Sequence, residues 1–157
     1  MSPERPFPPA SEPDPVVARF LAGTATATEW DHPAHLRAFA HLLEVEGSAA
    51  AAYERMRSLI LAHNARVSPN GEHGRYHETI TRYYVAAVAT ALADEAESGR
   101  PALDRPEVDR EAPLRHWSRD LLLSEEARST WVPPDLLPLP WSTNRSGAIH
   151  ASARCTC

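Results

Sequence analysis

The chain has 157 residues, of which 43% are hydrophobic and 24% charged, and its formal net charge at neutral pH is −5. This is the size and composition of one globular domain that can bury a core of its own. Its basic residues are scattered, and no run approaches the roughly eighteen apolar residues of a membrane helix, so we expect neither a nucleic-acid partner nor a membrane partner.

The N-terminus is predicted to be a disordered, proline-rich leader over residues 1–13. This segment has acids and prolines where a secretory signal would have a basic start and an apolar run, so we expect a cytoplasmic protein. The first helix is predicted to begin after Asp14, a typical N-cap residue that precedes Pro15. Gly23 is expected to end this helix.

The second helix is predicted to start between Thr28 and Pro33 and to end at Gly47. Thr28 and Asp31 have the spacing of a capping box, with aspartate in place of the usual glutamate or glutamine. Proline is tolerated only in the first turn of a helix, so this helix is expected to begin within one turn of Pro33.

The rest of the chain is predicted to be helical as far as a proline-rich C-terminal arm. The predicted ranges are a helix over 49–66 capped by Ser48, a loop over 68–76, the longest helix over 77–98 before Gly99, a connector over 100–113, and short helices over 114–123 and 124–132. Four prolines within 133–140 exclude a regular helix there. We therefore predict an all-α fold: a single domain over 14–140, built as a small bundle of about four main helices. A flexible tail over 141–157, which contains Cys155 and Cys157, is predicted to follow.

Three histidines are predicted to face the interior of this bundle. His32 and His35 lie on either side of Pro33 at the start of the second helix, and His77 begins the apolar stripe of the longest helix. Imidazole is the commonest protein ligand of transition metals, and bundle metal sites are built from inward-facing side chains of different helices. We predict that His32, His35 and His77 bind a divalent transition metal: iron, copper, zinc or manganese.

Further residues near these histidines are candidates for catalysis and substrate binding. Glu78 is predicted to be a catalytic residue, either as a fourth metal ligand or as a general base for a metal-bound water. The alternative is an ordinary ion pair with Arg82, four residues later on a solvated face. Tyr76 is its predicted catalytic neighbour, placed to orient His77. The predicted substrate contacts are Trp30, Asn64, Thr81 and Tyr84, although aromatic residues at such positions are more often part of the core.

The chain resembles a family of small all-helical bacterial proteins, mostly of uncharacterised function, in the segments WDHPAHL, GRYHETITRYY and ARSTWVPPDLLPL. The resemblance covers about residues 16–140 and implies a helical fold but no substrate. More loosely, the chain is similar to DinB/YfiT-like four-helix bundles, in which three histidines hold a divalent metal. Those proteins carry a His-x-x-x-His pair late in the chain, whereas His32 and His35 lie early, so the similarity implies architecture rather than ligand identity.

Three functions of different classes are consistent with these patterns. The first is a metal-dependent enzyme that acts on a small molecule, with hydrolase, lyase or oxygenase chemistry left open. The second is a metal-free protein that binds a small molecule or a partner protein and uses its buried histidines structurally. A third function is an enzyme that uses His77 and Glu78 as a metal-free acid–base pair. The oligomeric state is left open, with a homodimer among the alternatives.

Overall fold

A computed structural model of the chain describes residues 12–71 and 74–141. Within these ranges the chain has no strand, and its four longest helices are α1 (Pro15–Ala22), α2 (His32–Glu46), α3 (Ala49–Val67) and α4 (Glu78–Ser98). The predicted all-α fold with about four main helices is confirmed. No helix in the described ranges is long and apolar enough to cross a membrane. The predicted leader (1–13) and the predicted tail with its two cysteines (141–157) lie outside the described residues, apart from residues 12, 13 and 141.

The N-termini of α1 and α2 follow from their capping residues. Asp14 accepts hydrogen bonds from the backbone N–H groups at the start of α1, as predicted. The predicted capping box of α2 is wrong, because Asp31 itself is the N-cap and its Oδ1 accepts from Ala34 N at 2.9 Å. A reciprocal pair forms earlier instead, in which Thr26 N donates to the Glu29 carboxylate at 2.8 Å and Glu29 N donates to Thr26 Oγ1 at 3.2 Å. A pair with capping-box spacing is thus present, but it is formed by Thr26 and Glu29 in the turn before α2.

The start of α4 differs from the prediction by one residue. His77 is not the first helical residue but the N-cap, and its Nδ1 accepts from Ile80 N at 3.3 Å. Histidine can cap a helix in this way only while Nδ1 is unprotonated. His77 therefore caps the N-terminus of α4 and is not part of the apolar stripe of that helix.

The segment after α4 is built from single turns rather than from two short helices. Its elements are 3-10 turns at Ala102–Asp104, Pro106–Val108 and Ala112–Arg115, followed by α5 (Arg119–Leu122) and α6 (Glu125–Ser129). The predicted helix over 114–123 is interrupted because Ser118 caps a new turn and is itself held by Asp135, whose Oδ1 accepts from Ser118 N at 2.7 Å. The predicted helix over 124–132 starts after Ser124 as expected but ends early, at Ser129.

The main core lies where α2, α3 and α4 pack together. Its largest fully buried side chains include Phe20, Leu43, Met56, Tyr83 and Trp117. The segment after α4 is attached to this core by hydrogen bonds from two tyrosines of α4 to its backbone, and a tryptophan of the segment joins two parts of the segment itself. The bonds run from Tyr83 Oη to Glu107 O (2.7 Å), from Tyr84 Oη to Asp109 O (2.7 Å) and from Trp117 Nε1 to Val132 O (3.0 Å).

Candidate functional site

His77, the predicted metal ligand of α4, has both ring nitrogens engaged with the backbone. Nε2–H donates to Leu122 O at 2.7 Å, and Nδ1 accepts from Ile80 N. The side chain is buried, and burial is the main cause that lowers the pKa of His77, although the bond to Leu122 acts in the opposite direction. In this arrangement His77 joins the start of α4 to the end of α5.

His32 and His35 hold different parts of the backbone. His32 Nε2–H donates to Val108 O at 2.9 Å, which joins the start of α2 to the segment after α4. His35 Nδ1–H donates to Asp31 O at 2.7 Å within its own helix. The ring of His35 packs against Trp30 with a centroid distance of 4.0 Å, whereas the ring of His32 meets Tyr84 edge-on at 5.1 Å. The two imidazoles therefore have different surroundings.

The described residues contain no group of three or more histidines, cysteines, aspartates and glutamates placed to hold a metal ion. The structure thus does not bring His32, His35 and His77 together as a ligand set. Binding of iron, copper, zinc or manganese by the chain stays a prediction.

The two predicted catalytic residues, Glu78 and Tyr76, do lie together. They belong to what we call the Glu78 cluster, which consists of Tyr53, Arg57, Tyr76, Glu78 and Arg82. Tyr76 Oη donates to Glu78 Oε1 at 2.7 Å, and Tyr53 Oη donates to Oε2. Arg57 Nε lies 3.7 Å from Oε1, and Arg82 Nε lies 2.9 Å from Oε2. Each carboxylate oxygen thus faces one tyrosine and one arginine.

The Glu78 cluster differs from the alternative prediction, which was an ion pair between Glu78 and Arg82 on a solvated face. The predicted pair with Arg82 is present, but the Glu78 side chain is only 10% exposed. Burial first, and the neighbouring carboxylate second, raise the pKa values of Tyr53 and Tyr76, so both hydroxyls stay protonated donors. An unpaired carboxylate would be costly at this depth, and four partners compensate for that cost.

Two members of the cluster, Tyr53 and Arg57, were not selected from the sequence. They are four residues apart on α3, and both face the start of α4. The guanidinium of Arg57 lies 5.6 Å from the centroid of the Tyr76 ring, and that of Arg82 lies 5.1 Å from the centroid of Tyr53. A Tyr–Arg pair at helical spacing was the available signal, but its partner on another helix could not be read from the sequence.

The four predicted substrate contacts do not form one site. Trp30 is buried in a stack with Phe20, with a centroid distance of 3.6 Å. Asn64 is half-buried in the last turns of α3, Thr81 is buried with its hydroxyl near that of Tyr76, and Tyr84 is bonded to Asp109 O. Of these residues, Thr81 adjoins the Glu78 cluster, and Tyr84 touches His32.

A pocket of about 630 Å³ lies beside His32, between the start of α2 and residues 103–109. Its lining is formed by His32, Pro33, Leu36 and Arg37 from α2 and by Leu103, Asp104, Arg105, Pro106, Val108 and Asp109 from the opposite segment. Of the predicted residues, only His32 belongs to this lining. The opposite wall was missed because a proline-containing connector has no periodicity from which its fold can be inferred.

The cations at the edge of this pocket have acidic partners. Arg37 Nε lies 2.7 Å from Asp14 Oδ2, and Arg105 pairs with Asp94. The apolar side chains of Leu36 and Val108 are buried. Five of the ten lining residues are apolar, and the other five are an imidazole, two arginines and two aspartates, so the pocket combines apolar side chains with charges that are largely balanced.

His35 makes the stability of the fold dependent on pH. Burial against Trp30 lowers its pKa from 6.5 to about 4, the bond to Asp31 O acts in the opposite direction, and the nearby His32 and His63 lower it further. The unfolded chain therefore takes up a proton at a higher pH than the fold does, and stability is lost as the pH falls from 6.5 towards about 4.

We expect His35→Phe, which keeps an aromatic ring on Trp30, to reduce this loss by about 1–2 kcal/mol. Urea unfolding at pH 7 and at pH 4.5 measures the difference between the two proteins. Some loss persists in the variant because burial also lowers the pKa values of His63 and His77. An unchanged difference between the two pH values would show that His35 does not carry the effect.

Two regions of the described chain have the chemistry to contact a ligand: the pocket beside His32 and the exposed arginines of the Glu78 cluster. They share no residue. Comparison of the chain with protein-family models, with curated proteins and with solved structures finds no match.

Proposed function

We propose that the protein is a metal-free binding protein for a small, mainly apolar molecule, which it holds in the pocket beside His32. The observation that carries this proposal is the pocket itself, with a volume of about 630 Å³ and a lining drawn from two elements far apart in sequence. Ligand sites of proteins typically enclose about 300–1,000 Å³ and combine an apolar lining with a few polar groups.

The hydrogen bonds of His77 support the metal-free alternative over a metal-dependent enzyme. His32, His35 and His77 each donate one ring N–H to a backbone carbonyl, and the second nitrogen of His77 caps α4. His77 is buried and both of its ring nitrogens have partners, so it needs no metal to satisfy them, whereas His32 and His35 are half-buried and each keep a second ring nitrogen. A structural role is therefore sufficient to account for the position of His77.

The lining indicates the chemical class of the ligand. Because His32 Nε2–H is used by Val108 O, Nδ1 is the acceptor nitrogen of the neutral imidazole. A ligand with a hydroxyl or amino group can donate to it. Arg37 and Arg105 already have acidic partners, which favours an uncharged molecule over an anion. Small phenols and anilines fit this description.

The proposal predicts that filling the pocket abolishes binding. Leu103→Trp places an indole in the lining, and we expect the affinity for phenols to fall at least about tenfold, which is about 1.4 kcal/mol. Ligand-detected NMR measures this loss with a panel that contains phenols, the methyl ethers of these phenols, and anilines. The matched control is Leu123→Trp, at an exposed leucine outside the pocket.

The methyl ethers test the role of His32, since they keep the ring but lose the hydroxyl donor. We expect them to bind more weakly than the parent phenols. The proposal fails if no member of the panel binds, or if Leu103→Trp binds the panel as well as Leu123→Trp does.

A further inference from the structure

A second binding site is indicated by the exposed side of the Glu78 cluster. We infer that Arg57 and Arg82 together bind a small oxyanion, that is, a carboxylate or phosphate group. The cluster contains one carboxylate and two guanidinium groups, so it carries a net positive charge in a chain whose net charge is −5. This site shares no residue with the pocket of the proposed function and stands independently of it.

The two arginines are held in place before any ligand arrives. Arg82 Nε lies within hydrogen-bond distance of Glu78 Oε2, at 2.9 Å, and Arg57 Nε forms a longer ion pair with Oε1, at 3.7 Å. Each guanidinium also lies over a tyrosine ring, Arg57 over Tyr76 and Arg82 over Tyr53. Positions fixed in this way lower the entropy that a flexible arginine loses when it binds an anion.

Both arginines also keep donors for a ligand. The Arg57 and Arg82 side chains are 46% and 45% exposed, whereas Glu78 lies beneath them. A guanidinium has five N–H groups. Among the described residues, Arg57 forms only the 3.7 Å ion pair through Nε, and the contacts of Arg82 use its Nε–H and one donor to the Tyr53 oxygen. The remaining N–H groups are available at the surface.

The surroundings do not neutralise this charge. Glu54 lies one turn before Arg57 on the exposed side of α3, but within the described ranges it forms no ion pair with either arginine. The two tyrosines add no negative charge, because their pKa values are raised and they remain neutral. An anion at this surface therefore faces two arginines, Arg57 and Arg82, which share a single negative charge, that of Glu78.

The geometry of the donors selects the ligand class. Guanidinium groups bind carboxylates and phosphates through pairs of parallel N–H···O bonds, which a spherical anion such as chloride cannot accept in the same way. Two guanidinium groups on one carboxylate suit a compact anion with several oxygens. The ligand is thus a small molecule with a carboxylate or phosphate group.

The inference is tested with inorganic phosphate and with succinate, each titrated into the ¹⁵N-labelled full chain at constant ionic strength set with chloride. The arginine Nε–H and backbone signals of α3 and α4 report binding. We expect Arg57→Met and Arg82→Met each to weaken binding at least about fivefold, which is about 1 kcal/mol. The matched control is Arg55→Met, at an exposed arginine of α3 that forms no ion pair with any described residue.

The comparison of the two probes distinguishes the source of the oxyanion. Tighter binding of phosphate assigns a phosphorylated ligand, and tighter binding of succinate assigns a carboxylic acid; either result supports the site. Arg57→Lys keeps the positive charge but loses the guanidinium geometry, so it tests the site without removing a cation and covers the case in which Arg82→Met does not fold. The inference is overturned if neither probe shifts the signals of α3 and α4, if Arg57→Lys and Arg57→Met bind as the unaltered chain does, or if Arg55→Met loses as much affinity.

Discussion

Replacing Glu78 by glutamine is expected to lower the free energy of unfolding by about 3 kcal/mol. The carboxylate is buried and has four partners, Tyr53, Arg57, Tyr76 and Arg82. Glutamine keeps one acceptor oxygen but replaces the other by an NH₂ group, which can only donate. An arginine cannot accept a hydrogen bond, so the Arg82 contact on Oε2, or the Arg57 contact on Oε1, becomes a donor–donor contact.

The estimate lies at the lower end of the range for broken buried ion pairs, because both arginines are partly exposed and water screens them. Urea unfolding at neutral pH measures it. The matched control is Glu54→Gln, a charge removal on the exposed side of α3 that should change the free energy by less than about 0.5 kcal/mol. Equal effects of the two substitutions would mean that the Glu78 cluster does not hold α3 to α4.

Local signals in the sequence predicted the helices well. Asp14, Ser48 and Ser124 cap the helices that they were expected to cap, and Gly23, Gly47 and Gly99 end theirs with positive φ values of 72° to 77°. These features depend on residues within one turn of each other, and a single sequence contains that information. The capping box of α2 was misplaced because Thr26 and Glu29, as well as Thr28 and Asp31, have the required spacing.

Contacts between distant segments could not be predicted in the same way. The partner of His32 is Val108 O and the partner of His77 is Leu122 O, and both acceptors are backbone atoms of segments without a helical pattern. The type of a side chain does not indicate which backbone carbonyl will lie near it. The sequence therefore offered no hydrogen-bond partners for the three histidines, and a shared metal ion was predicted instead. Periodicity predicted inward positions for all three, but only His77 is buried, while His32 and His35 are half-buried. Their hydrogen-bond partners could be identified only from the fold.

The Glu78 cluster lies between these two cases. The sequence placed Tyr76 and Glu78 close together and offered Arg82 as an ion-pair partner, all within seven residues. Tyr53 and Arg57 complete the cluster from α3, and their contribution depends on how α3 packs against α4. The same packing that supplies them also buries the carboxylate, which turns an ordinary surface pair into a network with a large effect on stability.

Replacing His77 by alanine is expected to lower the free energy of unfolding by about 2.5 kcal/mol. The variant loses the cap on Ile80 N and leaves Leu122 O, at the end of α5, without its donor. His77→Asn separates the two effects, because asparagine is a good N-cap but is too short to reach Leu122. We expect it to recover about 1 kcal/mol of the loss.

Elemental analysis of the purified variants decides whether this loss is structural or comes from a metal. If His77 only holds the backbone, the unaltered chain, His77→Ala and His77→Asn carry the same background of transition metal, and a chelator leaves all three melting temperatures unchanged. If His77 were a metal ligand, the unaltered chain would contain stoichiometric metal that both variants lack, and the chelator would lower only its melting temperature. We expect the first result, because the hydrogen bonds to Leu122 and Ile80 already occupy both nitrogens.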